Sequence, residues 1–336
     1  MEQATGYSVY LAYAAECLRQ RGEDGSTIFR AAGIDDMSEL GVNQRLPEDV
    51  LAHVFRRLYR HPRLAGFFLE LGAAVPVTAH GKLGLAFMAC DNVYQVLEVF
   101  ARFVPIALAG VRAELEDQGD ETVLRIYTST RYPEFSSALG EALLVNMVVR
   151  STSLAGSPIV PTAASLVQRE PSYSDRIRSW IQAPITFNAE CHSITYKRRD
   201  LDAKVVTADP VNLRPLLAQC EQELAEVHSR TGLTDRVREM LALNVADNPS
   251  ISTVARELKL SERTLRRRLQ DEGVSFRELV KTVRHELALH YLRDTDAHIQ
   301  AIAERLGYRD TACFRHAFKE QAGLSPRHWR QQHGIR

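Results

Sequence analysis

The final third of the chain contains the same pattern twice, and this internal repeat constrains the fold more than any other feature. One copy starts at Ile251 and the other at Ile299, and each reads as a helix, a tight turn, a second helix and a glycine. Equivalent residues lie 48 positions apart in the first helix and 49 in the second, so one turn is a residue longer. The matched pairs are Ala255 and Ala303, Leu258 and Leu306, Ser261 and Asp310, Leu265 and Phe314, and Leu269 and Phe318. The repeat predicts two helix-turn-helix units, at about residues 250–270 and 298–320.

The second helix of each copy has one apolar side and one side rich in hydrogen-bond donors. At about 100° per residue, the donors of the first copy fall within an arc of about 100°, and Leu265 and Leu269 lie opposite. Such a helix packs one face on its own unit and presents the other to base edges in a major groove of DNA. We predict base contacts from Arg263, Arg266, Arg267, Gln270, Thr311, Ala312, Arg315 and His316. We predict phosphate or positioning contacts from Ser261, Arg268 and Lys319.

The segments between the two units predict a fixed connection. Ser275 and Glu278 form a capping-box pattern that opens a helix running to about Leu292, and this helix joins the units. Ser325 and Pro326 supply the cap and the first residue of a last helix. Successive major grooves on one face of DNA are about 34 Å apart, so a stiff connecting helix would let one chain read two of them.

In the preceding 230 residues the spacing of apolar residues changes several times between helical and strand periods, which predicts an α+β domain. Val50 to Leu58 and Val93 to Phe100 have helical spacing, and Asp91 is the predicted N-cap of the second of these helices. Two alternating runs around residues 117–120 predict a β-hairpin. We therefore predict an α+β domain over residues 1–230 and an all-α domain over residues 231–336, with the boundary at Thr231.

Charge supports an anionic partner for the second domain. The chain has no net charge, but residues 231–336 hold 19 basic and 14 acidic side chains, so this part is positive. No apolar run approaches a membrane span and no leader is visible, which predicts a cytoplasmic protein. The five cysteines follow no zinc or disulfide pattern, and we expect no metal, no cofactor and no catalytic residues.

The second domain carries the signature of a known family. The signature residues are Gly307, Tyr308, Asp310, Phe314, Ala317, Phe318, Lys319, Gly323, Ser325 and Pro326. With these residues the domain resembles the DNA-binding domain of the AraC/XylS family of bacterial transcription regulators. His316 stands where members of that family often carry arginine.

The N-terminal domain resembles a partner of this DNA-binding domain. Through the segment from Gly81 to Phe103, it is similar to the arabinose-binding-type sensor domain of ornithine-utilisation regulators. The two resemblances imply a regulator, favouring an activator, that binds double-stranded promoter DNA and a small-molecule effector. They also imply RNA polymerase as a partner and a possible homodimer. The effector and its pocket residues stay unidentified.

Two other readings stay open. The first is a DNA-modifying or repair enzyme that uses the C-terminal domain as an anchor, and the second is a constitutive DNA-binding protein without an effector. Cys191 and His192 could form a nucleophile and its base, but adjacent residues on a strand point to opposite faces. A basic face on one helix is usually only a solvated surface, whereas two equivalent basic faces in a repeat favour DNA binding.

Overall fold

The chain forms two compact units. One is built from residues 3–128 and 134–230, and the other mainly from residues 231–336. Thr231, where the sequence places the domain boundary, lies outside the described residues. The computed structural model describes residues 5–34, 45–108, 110–128, 133–230 and 232–334.

The N-terminal unit contains nine α-helices among its described residues. They are α1 (Val9–Gln20), α2 (Ser26–Arg30), α3 (Glu48–Arg60), α4 (Phe67–Ala74), α5 (Gly81–Ala89), α6 (Val93–Ala107), α7 (Pro133–Ala155), α8 (Ser174–Ile181) and α9 (Pro210–Arg230). The apolar spacing that predicts α3 is explained by burial, since Leu51, Val54, Phe55 and Leu58 lie in the core. The apolar side of α6 is buried in the same way.

Two sheets among the described residues complete this unit. The strands are β1 (Thr5–Tyr7), β2 (Arg45–Pro47), β3 (Arg112–Gln118), β4 (Glu121–Tyr127), β5 (Ala163–Ser165), β6 (Ile185–Thr186) and β7 (His192–Lys197). The strands β1 and β2 form an antiparallel pair, and the larger sheet has the order β3-β4-β7-β5-β6. The predicted hairpin is confirmed, with Gln118 opposite Glu121 and Gly119 at φ +64° in the two-residue turn. A positive φ at this place favours glycine.

The predicted cap of α6 is wrong by one residue. Asn92, not Asp91, adopts the extended backbone of an N-cap, and its side-chain oxygen accepts a hydrogen bond from the Gln95 N–H at 2.9 Å. The backbone N–H of Asp91 instead donates to Gln95 Oε1 at 2.8 Å. Both side chains are good caps, and the apolar spacing alone does not distinguish two adjacent candidates.

The C-terminal unit is all helical over its described residues, as predicted. Its helices are α10 (Leu233–Leu243), α11 (Ile251–Glu257), α12 (Glu262–Asp271), α13 (Phe276–Asp294), α14 (Ile299–Arg305), α15 (Thr311–Ala322) and α16 (Pro326–His333). The connecting helix α13 ends two residues beyond the predicted Leu292. No helix in the described part of the chain is long and apolar enough to cross a membrane.

Candidate nucleic-acid interface

Side-chain caps fix the first residue of each second helix of the repeat. Ser261 Oγ accepts a hydrogen bond from the Thr264 N–H at 3.1 Å, and Asp310 Oδ1 accepts one from the Cys313 N–H at 2.7 Å. Both caps have extended backbone, which leaves their side chains free to turn back onto the first helical turn. Helices α12 and α15 therefore begin at matched places in the two units.

The turns before these helices differ by the one residue that the sequence predicts. Four residues separate α11 from α12, and five separate α14 from α15, the extra residue being Arg309. The matched turn positions are Lys259 and Gly307, and both have positive φ, at +56° and +68°. A Cβ at Gly307 would lie 2.5 Å from the Val245 carbonyl oxygen, so the second turn requires glycine.

Aromatic or aliphatic side chains bury the back of each helix. Leu265 and Leu269 of α12 are fully buried, and Phe314 and Phe318 of α15 are at most 2 % exposed. The Phe314 and Phe318 rings lie 5.8 Å apart, centre to centre, and Trp329 of α16 meets Phe318 edge-on at 6.2 Å. This packing fixes which face of each helix points to solvent.

The opposite faces carry the predicted contact residues. All but one of the eleven residues are exposed, and Thr311 is half-buried. Arg268, which the spacing of about 100° per residue places nearer the packed side of α12, is exposed as well. Ser261 is exposed, but its hydroxyl already serves as the cap of α12. On α12 the exposed face holds Arg263, Arg266, Arg267, Arg268 and Gln270, and on α15 it holds Ala312, Arg315, His316 and Lys319.

Two ion pairs on these helices were missed by the sequence reasoning. Arg266 Nη2 donates to Glu262 Oε1 at 2.6 Å, one turn earlier on α12. Lys281 of α13 pairs with Glu320 of α15 at 2.7 Å. The four-residue spacing of Glu262 and Arg266 was a usable signal. Exposed ion pairs of this kind contribute at most about 1 kcal/mol to stability. The Arg266 guanidinium can therefore leave the Glu262 carboxylate and contact DNA instead.

Arg284 of the connecting helix holds the second unit's turn in place. Its Nη2 donates to the Gly307 carbonyl oxygen and to Asn248 Oδ1, each at 3.0 Å. Its guanidinium also lies 4.8 Å from the centre of the Tyr308 ring. Asn248 precedes α11, the first helix of the first helix-turn-helix unit. The Arg284 side chain therefore contacts both the segment that leads into the first helix-turn-helix unit and the turn of the second one. Nothing in the sequence spacing indicated this contact.

Comparison with known proteins assigns the N-terminal unit and the C-terminal unit of the chain to protein families. The family described as "Arabinose-binding domain of AraC transcription regulator, N-term" matches residues 22–205, more than half of the chain. The chain belongs to the AraC family of transcription regulators. A family described as "Helix-turn-helix domain" matches residues 254–332, which include α12 and α15. This AraC-family protein is thus a DNA-binding transcription regulator with an N-terminal arabinose-binding-type domain.

Similar proteins align over most of the chain. The Ornithine utilization regulator of Pseudomonas aeruginosa is 28% identical over 263 residues, which cover 78% of each chain. An uncharacterised HTH-type transcriptional regulator of Mycobacterium tuberculosis is 28% identical over 283 residues, covering 83% of this chain and 82% of that one. The crystal structure of the regulator CdpR from Pseudomonas aeruginosa is 25% identical and covers 95% of this chain and 96% of that chain, with a TM-score of 0.44.

Cys191 and His192 do not form an activated nucleophile. Burial raises the pKa of the Cys191 thiol, which disfavours the reactive thiolate. His192 is 1 % exposed, and its ring lies where a Cβ on Gly140 would be, with 2.2 Å between that position and Cε1. The described residues contain no group of three or more metal-binding side chains.

Proposed function

We propose that this AraC-family regulator binds promoter DNA with α12 and α15 in successive major grooves. The observation that carries the proposal is the duplication itself, in which two capped helices with buried backs expose matching faces of hydrogen-bond donors. The single helix α13 joins the two units, and Arg284 ties it to the second turn. A fixed separation between the two helices is what simultaneous reading of two grooves requires.

On α12 the arginines supply the base contacts. Arg263 and Arg267 are exposed one turn apart, and each guanidinium can donate two hydrogen bonds to O6 and N7 of guanine. Arg266 can contact a base in the same way once its ion pair with Glu262 is broken, and Gln270 can donate to and accept from adenine. Arg268 contacts phosphate, because it lies at the edge of this face.

The predicted contact residues of α15 have shorter side chains than those of α12, and fewer of them are charged. Arg315 can read guanine, and Ala312 can touch a thymine methyl group. His316 takes the place that Arg267 has in the first unit, since both follow their cap by six residues. Thr311 and Lys319 contact bases or phosphates near the two ends of the exposed face.

We further propose that the N-terminal unit binds a small-molecule effector and that effector binding controls activation of transcription. The proposal is supported by the arabinose-binding-type family match of residues 22–205. The name of the Pseudomonas relative also connects a similar protein with the use of a small metabolite.

The test selects the preferred duplex from a randomised pool with the full-length protein. Two conserved half-sites about 10 base pairs apart are expected, one for each recognition helix. Titrations of the selected and a scrambled duplex then compare two neighbouring substitutions. Arg267→Ala should weaken binding to the selected duplex by about 1–3 kcal/mol and to the scrambled duplex much less. Arg268→Ala should weaken both equally.

Arg57→Ala serves as the matched control, because Arg57 is exposed on α3 of the N-terminal unit and should leave both affinities unchanged. Equal losses on both duplexes for Arg267→Ala would mean that this side chain contacts only phosphate. A single short half-site would contradict reading by two helices.

A further inference from the structure

An apolar cavity lies among the helices of the N-terminal unit. Its volume is about 60 Å³, and its walls come from α1, α3, α4 and α7 together with the segments around Val75, His80 and Leu108. Phe55, Phe68, Leu139 and Leu143 supply aromatic and aliphatic surface. Since the walls come from helices that span residues 9–155, the cavity is a feature of the folded unit rather than of any one motif.

The polar side chains at the wall of the cavity already have partners. Asn146 Nδ2 donates to the carbonyl oxygens of Gly72 and Val75, at 2.8 Å and 3.0 Å. The Tyr10 hydroxyl is hydrogen-bonded to His80 Nδ1 at 2.8 Å. Burial lowers the pKa of His80 to about 4, so its imidazole is neutral at physiological pH. The other described wall residues carry no ionisable acid or base apart from the Tyr10 phenol.

These contacts decide which ligands the cavity can accept. The Arg150 guanidinium, whose charge acts on His80, does not line the cavity and donates to the Ala73 carbonyl oxygen at 2.6 Å. A buried ammonium or carboxylate without a counter-charge or hydrogen-bond partners in the wall costs several kcal/mol, so an amino acid or another ionised metabolite is disfavoured. The transfer of apolar surface out of water is favourable, and the cavity offers an apolar ligand almost only apolar surface to contact.

We propose that this cavity is the effector site and that it takes a small, uncharged, apolar molecule such as a short alkyl chain with one hydroxyl group. The assignment rests on the proposed effector response and names the chemical class of the effector. The hydroxyl group of the ligand would lie at the end of the cavity formed by Tyr10 and His80, where it can form a hydrogen bond with the Tyr10 hydroxyl or the His80 ring. A cavity of about 60 Å³ has room for a chain of a few carbon atoms.

The test uses n-alkanols from propanol to octanol as probes of the full-length protein. Isothermal titration calorimetry should show an affinity that rises about fourfold for each added methylene until the cavity is full, and then stops rising. The n-alkylamines of the same lengths are charged at pH 7.5 and should show no saturable binding.

Substitutions on α7 then locate the site. Ala142→Leu adds bulk to a wall residue and should reduce alkanol affinity at least tenfold. Ala155→Leu is the matched control, because Ala155 lies on the same helix outside the cavity, and it should bind alkanols as the wild type does. Leu143→Ala enlarges the cavity and should move the best chain length upward by one or more carbons. The enlarged variant decides the question if Ala142→Leu fails to fold, as judged by circular dichroism.

The outcomes separate this assignment from the proposed DNA contacts. Binding of the selected duplex is titrated on the same protein preparations without any alkanol. Intact DNA binding with no dependence on alkanol chain length would overturn the cavity assignment and leave DNA reading in place. Unchanged alkanol binding in Ala142→Leu and an unmoved optimum in Leu143→Ala would also overturn it. Equal binding of alkylamines and alkanols would refute the exclusion of charge.

Discussion

A buried carboxyl group gives the sharpest stability prediction. Glu141 of α7 is 1 % exposed, and its Oε1 accepts hydrogen bonds from Gln168 Nε2 and the Tyr173 hydroxyl, both at 2.9 Å. Its Oε2 is buried with no hydrogen-bond partner. Burial raises the pKa of Glu141 from 4.5 to about 7, against the effect of the two hydrogen bonds, which favour the charged form.

The sign and size of the pH effect follow from this shift. Below pH 4.5 both the folded and the unfolded chain hold the proton, and Glu141 has no effect on the pH dependence. Between pH 4.5 and about 7 the unfolded chain loses the proton while the folded chain keeps it, so stability falls as pH rises. A difference of about 2.5 pKa units corresponds to about 3 kcal/mol. Glu141→Gln cannot titrate and should avoid this loss.

Urea denaturation of wild type and Glu141→Gln from pH 4.5 to 8.5 measures the difference. The free energy of unfolding of the variant, relative to the wild type, should rise by about 3 kcal/mol across this range. His80 titrates with the opposite sign, because its pKa is lowered to about 4, but it is present in both proteins and cancels. Glu98→Gln, at an exposed place on α6, should show no such rise. A constant difference between variant and wild type would show that Glu141 is already ionised in the folded protein.

The remaining predictions concern DNA binding. The affinity of the full-length protein for DNA should fall steeply as salt is added. The slope of log K against log[salt] should be about −0.9 for each of about 6–8 phosphate contacts. A slope shallower than about −2 would exclude the reading of two grooves. Isolated residues 231–336 should be helical by circular dichroism and bind DNA more weakly than the full chain, and an unfolded fragment would refute the boundary at Thr231. His316→Arg should bind the selected duplex more tightly at pH 8, because arginine is charged at any working pH; unchanged affinity would place His316 away from the DNA.

Local features of the C-terminal unit were predictable because they depend on residues close together in sequence. The caps Ser261 and Asp310 bond to N–H groups three residues ahead, and the extra residue in the second turn is visible as a change of offset from 48 to 49. The same local reasoning was wrong at Asp91, since two adjacent residues could both cap α6 and only the backbone conformation decides between them.

Features that join distant segments could not be predicted from one sequence. The contact of Arg284 with Asn248 spans 36 residues, and that of Asn146 with Gly72 spans 74. The cavity walls come from helices whose order along the chain does not reveal which of them meet. Neither periodicity nor spacing encodes such contacts, because they depend on how whole helices pack.

The contacts of Arg284 have a consequence for the promoters that this regulator can use. Because Arg284 ties the connecting helix to the turn of the second helix-turn-helix unit, we infer that the protein, rather than the DNA, sets the distance and the rotation between α12 and α15. Each inserted base pair rotates one half-site about the duplex axis by roughly 34°, so a five-base-pair insertion turns it to the opposite side. Under the proposed reading of two grooves, promoters bound by this chain keep their two half-sites in one helical phase, and a single-base insertion between the half-sites should weaken binding.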